Sequence, residues 1–304
     1  MSESNCQYVC SRGIMKSCDI YSFKPISSIK QLKNYDFSKM YHGCTLYICS
    51  SAIPHFQSLL NQIPFSFILV SGDGDDTVPN DLFSSKLDFL KFIEHPKIIH
   101  WFSQNCFLVH AKMSQIPIGL DFHTLAHQNH EWGNQKSPIE QEAQLIDIRS
   151  RSKPFSRRIC KAYANFQFLM QTRYGQDRRE ALSKIPAELV YYETIKTKRY
   201  DTWTRQVEYA FVISPHGNGY DCHRTWEALC LGCIPIVKSS CLDSLFADLP
   251  VLVVKDWCNV TEELLISTIS LFENKKMNME KLLLKYWIDL IQKPKNVKIG
   301  RFPG

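Results

Sequence analysis

Short runs of apolar residues alternate with amphipathic stretches along the chain, and this alternation constrains the fold more than any other feature. The run FSFILV at 65–70 ends in four apolar residues, and the run at 251–254 reads VLVV. Runs without polar alternation are typical of strands that are buried on both faces of a sheet. Strands that alternate with helices predict parallel sheets covered by helices, so we expect an α/β fold.

The predicted elements fall into two groups. Strands are predicted at 45–49, 65–70, 97–101, 187–192, 210–214, 234–237 and 251–254. Helices are predicted at 52–62, 84–94, 176–184, 201–208, 223–232, 261–273 and 277–293. The polar stretch 124–157 is interpreted as a linker. We therefore expect a first domain at 1–123 and a second at 158–276, with the segment 277–304 packing back on the first.

Length and composition narrow the class of protein. A chain of 304 residues suits two domains of ordinary size. The net charge of +6 is mild, and no pattern typical of nucleic-acid-binding domains accompanies it, so nucleic-acid binding is the weaker interpretation. No apolar run approaches the roughly 20 residues that span a bilayer, and the first residues have no signal-peptide core, so we expect a cytoplasmic protein without a membrane span. The 12 cysteines are then expected to be reduced thiols, and Cys230 and Cys233 to be core residues rather than a zinc or redox pair.

The segment FVISPHGNGYDCHRTWEALCLGCIPIV at 211–237 carries the strongest functional signal. A predicted strand ends at Ser214, and a loop rich in polar residues and glycine leads into a helix. In open α/β sheets, ligands bind beyond the carboxyl ends of the strands, and a helix N-terminus favours phosphate. Arg224 can bind a diphosphate, and Glu227, one turn further along, can accept two ribose hydroxyls. The residues expected to bind a nucleotide are Ser214, His216, Gly217, Asn218, Gly219, Tyr220, His223, Arg224, Thr225 and Glu227.

Simpler interpretations compete with this one at single positions. The pattern GxG is weak evidence, and without GxGxxG a dinucleotide site is disfavoured. Asp221 would suit the N-cap of the following helix, and His216 and His223 would suit an exposed surface. The density of polar groups in one loop favours the functional interpretation of the segment as a whole.

The same segment, SPHGNGYDCHRTWEALCLGCIPIV, resembles the nucleotide-sugar-binding segment of exostosin-like glycosyltransferases. The family pattern is a strand end, a loop ending in Arg, a helix bearing Glu, and then G-[CA]-I-P-[IV]. The resemblance covers about 205–260, with weaker likeness at 71–79 and 117–125. In size and in the expected absence of an anchor, the chain is more similar to glycosyltransferases of large algal DNA viruses than to animal exostosins.

The resemblance implies a GT-B architecture, in which two Rossmann-like domains face a central cleft. It implies a UDP-sugar donor on the second domain, an acceptor on the first, and inversion at the anomeric carbon without a required metal cofactor. Glu227 would be the ribose-binding glutamate, and Arg224 with the backbone of Gly217 to Gly219 would contact the diphosphate. The similarity to glycosyltransferases of algal viruses implies xylose as the sugar and a glycan, such as a viral or protein-linked N-glycan, as the acceptor.

Acidic residues follow the run FSFILV in the first half. Asp73 and Asp75 form a DxD pair, which in metal-dependent GT-A glycosyltransferases holds Mn²⁺ or Mg²⁺. Short DxD strings also occur in turns with glycine. In the two-domain interpretation, Asp73 is the preferred general base for the acceptor hydroxyl, and Asp121 and His123 are the alternatives.

Arginines cluster in TRYGQDRREAL at the start of a predicted helix. Arg173 and Arg178 are candidates to contact the diphosphate and stabilise the leaving group, although such runs are usually solvated charge. The sequence thus predicts an inverting, metal-independent glycosyltransferase that uses a UDP-sugar and an oligosaccharide or glycoprotein acceptor. A metal-dependent GT-A enzyme built on Asp73 and Asp75, and a non-catalytic carbohydrate- or nucleotide-binding module, are the alternatives.

Overall fold

The computed structural model describes residues 2–22, 24, 29–166 and 170–296. Positions 297–304 of the predicted C-terminal segment lie outside the described residues. The strands in the described part are β1 Cys44–Cys49, β2 Phe67–Gly72, β3 Ile98–Ser103, β4 Met113–Gln115, β5 Ile159–Ala164, β6 Val190–Tyr192, β7 Tyr209–Ile213, β8 Ile234–Lys238 and β9 Leu252–Val254. The helices are α1 Ser11–Lys16, α2 Ile53–Phe56, α3 Lys86–Ile93, α4 His123–His127, α5 Pro138–Arg151, α6 Gly175–Lys184, α7 Arg199–Gln206, α8 His223–Cys230, α9 Asp243–Phe246, α10 Glu262–Asn274 and α11 Leu284–Gln292.

The chain forms two compact units, each with its own parallel sheet. One, called here the 14–116 unit, comprises Ile14–Ile116 and Lys285–Gly304. The other, called the 117–284 unit, comprises Met1–Gly13 and Pro117–Leu284. The expectation of an α/β chain with two Rossmann-like units is confirmed. None of the helices in the described ranges is long and apolar enough to cross a membrane.

The sheet of the 14–116 unit has the order β1-β2-β3-β4, with every pair parallel. Each new strand is added at the same edge. Every residue of β1 and β2 is buried, in agreement with their mostly apolar sequences. Phe83, Phe92 and Trp101 pack edge-on or tilted against one another beside this sheet, and α11 contributes Ile288 and Ile291 to a small pocket of the same unit.

The sheet of the 117–284 unit has the order β6-β5-β7-β8-β9, and all of its pairs are parallel. The chain moves from β5 outward to β6, then returns to the other side of β5 and continues through β7, β8 and β9. The direction of winding therefore reverses between β5 and β7. In doubly wound sheets this reversal leaves a crevice outside the carboxyl ends of the two strands, where ligands bind.

The observed division of the chain differs from the predicted one. The unit boundary lies between Ile116 and Pro117 rather than at 123/124, and the predicted linker 124–157 contains most of α4 and all of α5. Helix α5 begins with a capping box, because Ser137 Oγ accepts from the N–H of Glu140 and the Glu140 carboxylate accepts from the N–H of Ser137. Because only a narrow face of α5 is buried, most of its residues are polar. The sequence analysis therefore assigned this segment to a linker.

Two strands were absent from the predicted set. Strand β4 is only three residues long, and β5 contains Lys161 and is buried only over its last three residues. The pattern of β5 is therefore not an apolar run, although this strand is flanked on both sides in its sheet. The position of β5 is the feature of the fold that matters most for the site.

Candidate active site

The loops that follow β5 and β7 meet at the point where the winding reverses. The N–H of Tyr174 donates to the carbonyl of Gly217 at 3.1 Å. The N–H of Arg173 donates to Oδ1 of Asn218 at 3.4 Å. The predicted loop 214–222 therefore forms one wall of the crevice, and the stretch before α6 forms the other.

The start of α8 is joined to the end of β7 by buried hydroxyls. Ser214 Oγ and Thr225 Oγ1 lie 2.8 Å apart, and both side chains are buried. They hold the loop in place, so the structure gives these two predicted nucleotide-binding residues a structural contact.

Asp221 is not the N-cap of α8, since Cys222 occupies that position without a side-chain capping bond. Its carboxylate instead accepts the N–H of Ile118 at 2.7 Å and Nε1 of Trp226 at 2.9 Å. Burial raises the pKa of Asp221 to about 6. This aspartate ties the segment after Ile116 to the loop and helix that carry the candidate site.

Gly217 permits a close approach rather than an unusual backbone angle. The φ of Gly217 lies outside the positive range that favours glycine. A Cβ added at Gly217 would lie 3.0 Å from Nη2 of Arg178. The glycine therefore makes room for an arginine from the facing loop.

Two arginines from different elements converge on this loop. Arg178, in α6, is 6% exposed, and its Nε donates to the carbonyl of His216 at 3.2 Å. Arg224, in α8, reaches the carbonyl of Pro215 with Nη1 at 3.4 Å, and its guanidinium lies 5.7 Å from the centre of the Phe166 ring. Burial lowers the pKa of both groups, and the charge of Arg178 lowers that of Arg224 further. Both guanidinium groups are partly removed from solvent, and Arg224 forms no ion pair with a carboxylate among the described residues. Such a pair of cations favours the binding of an anion.

The imidazole of His216 is held by a carboxylate that the sequence analysis did not select. Asp177, in the first turn of α6, accepts the N–H of His216 at 2.9 Å, and its Oδ2 lies 3.2 Å from Nδ1 of the ring. Trp257 donates its Nε1 to the other carboxylate oxygen at 2.7 Å. Burial is the main influence on the pKa of His216 and lowers it.

Aromatic rings line the mouth of the same crevice. The ring centres of Tyr174 and Tyr220 are 4.4 Å apart, and the guanidinium of Arg173 lies 5.3 Å from the centre of the Tyr174 ring. Both tyrosines are half-buried, whereas Arg173 and Asn218 are exposed. Arg173 is thus a rim residue, unlike Arg178 and Arg224.

Glu227 lies one turn beyond Arg224 on α8. Its side chain is 15% exposed, and its contact among the described residues is Nε of Arg199 at 3.9 Å, which is too long for a hydrogen bond. Burial raises the pKa of Glu227, and the charge of Arg199 offsets part of that effect. The carboxylate therefore keeps acceptor capacity that a ligand can use.

Arg199, in α7, connects Glu227 to Asp121. Its Nη1 donates to the carbonyl of Asp121 at 2.6 Å and to Oε1 of Gln141 at 2.8 Å, and its Nη2 donates to the Asp121 carboxylate at 3.1 Å. Its guanidinium also lies 5.2 Å from the centre of the Trp132 ring. No motif in the sequence marked Arg199, which is buried by these contacts.

Asp121 and His123 form a pair within this cluster. Nδ1 of His123 lies 3.1 Å from the Asp121 carboxylate, which also accepts the N–H of Thr124 at 3.0 Å. Burial by itself would raise the pKa of Asp121, but the charges of His223, His123 and Arg199 outweigh it and hold that pKa well below its usual range. A carboxylate so strongly stabilised in its charged form is a poor proton acceptor.

His223, the first residue of α8, faces the same cluster. Its Nδ1 is 2.6 Å from the carbonyl of Gly119, and its ring centre is 6.2 Å from that of His123. The structure therefore brings together Asp121, His123, His223, Arg199 and Glu227 within the 117–284 unit. Of these, only Arg199 was missed by the sequence analysis.

Asp73 belongs to the 14–116 unit, at the carboxyl end of β2. It is buried with a positive φ of 54°, and its N–H donates to Oε1 of Gln104 at 3.0 Å. Asp75 lies in the same loop and is exposed. In the metal-dependent alternative, Asp73 and Asp75 would hold the metal together. No group of three or more metal-ligating side chains occurs in the part of the chain that the structure describes.

No known protein-family model matches the chain, and no curated protein matches it. Among solved structures, the chain is similar to one described as trehalose-6-phosphate from E. coli bound with UDP-2-fluoro glucose, with 9% sequence identity and a TM-score of 0.38. The match covers 88% of this chain and 72% of that chain. A likeness at this TM-score and identity does not establish the function of the chain.

Proposed function

We propose that the chain is a glycosyltransferase that binds a nucleotide sugar in the crevice outside β5 and β7. The observation that carries this proposal is the convergence of Arg178 and Arg224 on the loop after β7, with the accessible carboxylate of Glu227 one turn along α8. A nucleoside diphosphate presents two phosphates beside a ribose diol, and these three side chains match that pattern of charge and hydrogen bonding.

The arginines and the glutamate divide the nucleotide between them. Arg178 and Arg224 bind the diphosphate through planar forks of N–H donors. Glu227 accepts the two ribose hydroxyls, about 4.5 Å further along the helix axis than Arg224. A carboxylate would repel a phosphate, so its place in an otherwise cationic site supports a diol next to the phosphates.

The reaction that fits this arrangement is inverting transfer from a UDP-sugar. A base removes the proton of an acceptor hydroxyl, the oxygen attacks the anomeric carbon, and UDP leaves with the bonding electron pair. Arg178 and Arg224 stabilise the charge that develops on the leaving diphosphate, a role that bound Mg²⁺ or Mn²⁺ performs in metal-dependent enzymes. We therefore propose a metal-independent enzyme.

Of the three candidate bases, Asp73 is retained as the preferred one. Asp121 is disfavoured, because Arg199 and His123 stabilise its charged form. His123 remains the alternative, since Asp121 lies beside its Nδ1 and would orient the ring as in other carboxylate–histidine pairs.

The sugar and the acceptor are the finer part of the proposal. Xylose as the sugar and a glycan hydroxyl as the acceptor are supported by the resemblance of 205–260 to exostosin-like and algal-virus glycosyltransferases. Arg173 and Asn218 are exposed at the rim of the crevice, and the half-buried Tyr220 lies beside them in the same pair of loops.

A ligand screen with a transfer assay tests the proposal. The melting temperature is measured with UDP, GDP, ADP and a panel of UDP-sugars, with and without EDTA. A ligand at about 100 times its Kd stabilises the folded state by about 2.7 kcal/mol. We expect stabilisation by UDP and by one UDP-sugar, unchanged by EDTA, together with release of UDP when an acceptor glycan is added.

Each other outcome has a defined meaning. Stabilisation that EDTA abolishes favours the metal-dependent enzyme built on Asp73 and Asp75. Stabilisation without transfer or slow hydrolysis of any UDP-sugar favours a binding module. Absence of stabilisation by every nucleoside diphosphate contradicts the proposed site.

A further inference from the structure

His216 lies at the centre of the crevice, directly beyond the end of β7. The residue is 8% exposed, and its ring centre is 5.0 Å from that of Tyr220 and 6.1 Å from that of Tyr174. Its backbone carbonyl accepts from Arg178, and the preceding carbonyl, of Pro215, accepts from Arg224. The backbone at Pro215 and His216 therefore contacts both arginines assigned to the diphosphate.

The carboxylate of Asp177 lies beside the imidazole ring of His216. This carboxylate is held by the indole of Trp257 at 2.7 Å and by the N–H of His216 at 2.9 Å, and Lys238 Nζ lies 3.8 Å away. Nδ1 of the ring lies 3.2 Å from Oδ2 of the same carboxylate, so the negative charge of Asp177 favours a proton on Nδ1. In the neutral ring, Nε2 then carries a lone pair.

Nε2 has no hydrogen-bond partner in the described ranges, and it is not sealed from solvent. A bound phosphate oxygen would meet the lone pair of Nε2 and be repelled by it. Protonation of Nε2 converts the repulsion into a charge-assisted hydrogen bond.

We propose that a diphosphate binds in this crevice together with a proton, which His216 takes up on Nε2 and donates as a hydrogen bond to a phosphate oxygen. Asp177 is the positioning residue that holds Nδ1–H and stabilises the imidazolium. The proton comes from solvent, and the N–H bond is the only covalent bond formed. This inference rests on the proposed nucleotide site and specifies how that site recognises its anion.

The charges around His216 suit such a step. Asp177 and Arg178 face it from α6, Lys238 from the end of β8, and Asp243 from α9, while Tyr174 and Tyr220 flank the ring. Burial, followed by Lys238, lowers the pKa of His216 in the free protein, and Asp177 and Asp243 act in the opposite direction. The free ring is therefore neutral at neutral pH, and an added anion would raise its proton affinity.

Calorimetric titration with UDP at about pH 8, where free UDP is fully ionised, tests the proposal directly. The enthalpy is measured in several buffers of different ionisation enthalpy, and the slope gives the number of protons taken up. We expect uptake of about one proton by the wild type and a Kd that rises by up to about tenfold per pH unit above neutrality. His216→Gln should still bind UDP, about tenfold more weakly and without proton uptake.

Asp177→Asn should bind UDP with reduced proton uptake, because the imidazolium loses its counter-charge. His55→Gln, at an exposed histidine of the other unit, should retain the wild-type slope. UDP binding by the wild type without proton uptake, or uptake that persists in a folded His216→Gln variant, overturns the inference and leaves the proposed function intact. Absence of UDP binding by the wild type overturns both. If a variant does not fold, the number of protons taken up by the wild type on binding UDP decides whether the inference holds.

Discussion

The two parallel sheets of this protein differ in the direction in which their strands are added and in the use made of polar groups at their carboxyl ends. In the 14–116 unit the strands follow one another at a single edge, and in the 117–284 unit the winding reverses between β5 and β7. Only the second arrangement leaves a crevice between adjacent strand ends. The polar residues at the carboxyl ends of the two sheets also differ in how fully their hydrogen-bonding groups are paired.

At the end of the first sheet, most polar side chains bind the chain itself. Ser71 and Ser103 lie 2.9 Å apart, Trp101 donates Nε1 to Ser71 at 2.8 Å, and Gln104 accepts the N–H of Asp73. These side chains are neutral and buried. They stabilise loops whose backbone groups would otherwise be unpaired.

At the end of the second sheet, charged side chains retain unused hydrogen-bonding capacity. Arg224, Glu227 and Nε2 of His216 have few or weak contacts with the described residues. Burying such groups destabilises a fold unless a ligand or a partner compensates. Buried polar residues at strand ends are therefore not equivalent. Those already paired serve the fold, and those left with unused donors and acceptors indicate a ligand.

Asp73 is an exception to this difference, since it is proposed to act chemically although it follows β2 of the first sheet. We expect Asp73→Asn to lower kcat by about 100-fold or more, the usual share of a general base, with the affinity for UDP unchanged. Steady-state kinetics and UDP calorimetry measure the two effects. Asp75→Asn, at the exposed neighbour in the same loop, is the control and should retain turnover.

If Asp73→Asn retains full turnover, His123 becomes the proposed general base. The polar residues at the carboxyl end of the first sheet then have a structural role only. Loss of UDP-sugar binding in Asp73→Asn, reproduced by EDTA in the wild type, would show that Asp73 and Asp75 hold a metal.

Glu227 sharpens the contrast, because a carboxylate is expected to select the ribose and not the phosphates. Glu227→Ala should weaken UDP binding by about 1.5–3 kcal/mol, the usual value of hydrogen bonds to a charged group. The affinity for pyrophosphate, which has no ribose, should not decrease. Calorimetry with both ligands makes the test, with Glu131→Ala at a separate carboxylate of the same unit as the control. An equal loss for UDP and pyrophosphate would remove the assignment.

Asp221 tests whether a buried and fully paired carboxylate of the second unit serves the fold. Its pKa is raised from 3.8 to about 6, so its contribution to stability is present below pH 3.8 and is lost as the pH rises through about 6. Asp221→Asn lacks this titration, and its amide leaves either the Ile118 N–H or the Trp226 indole unpaired, at a cost of about 1–3 kcal/mol. The deficit of the variant should therefore be largest near pH 4 and shrink by up to about 3 kcal/mol by pH 7.

Denaturant unfolding of both proteins between pH 4 and pH 7 measures this difference. Asp121→Asn is the matched comparison, because the pKa of Asp121 is held below its usual range and its contribution is lost only at lower pH. The deficit of that variant should be flat over the same interval. A flat deficit for Asp221→Asn as well would contradict the raised pKa.

Arg173 should produce the smallest effect. It is exposed at the rim of the crevice, where solvent and salt screen its charge. Arg173→Ala is expected to weaken UDP binding by no more than about 1 kcal/mol, and the difference from wild type should decrease further in high salt. If Arg173→Ala weakens UDP binding as much as Arg178→Ala does, Arg173 belongs inside the binding site.

The parts of the site that were predictable lie within one contiguous segment. Strand β7, its polar loop, and α8 with Arg224 and Glu227 follow one another over 209–230, so local pattern and helical spacing were sufficient. Helix α5 was also recoverable, since SPIE at 137–140 combines a capping box with a proline at the first helical position.

The residues that were missed acquire their roles through contacts between distant parts of the chain. Asp177 binds His216 across 39 positions, and Arg199 binds Asp121 across 78. An aspartate in a charged helix start and an arginine in a polar helix have no local signal that separates them from solvated residues. Strand β5 was missed because its buried half is only three residues long.

Every proposal made for the crevice outside β5 and β7 requires that it binds a nucleoside diphosphate through Arg224, and calorimetry with UDP on three proteins measures this binding. Lysine keeps the charge but lacks the planar fork, so Arg224→Lys should bind UDP about 10-fold or more weakly than the wild type. Arg151→Lys, at an arginine whose side chain is 62% exposed in the same unit, should bind as the wild type does. Wild-type affinity in Arg224→Lys, or no UDP binding by the wild type, would contradict the account.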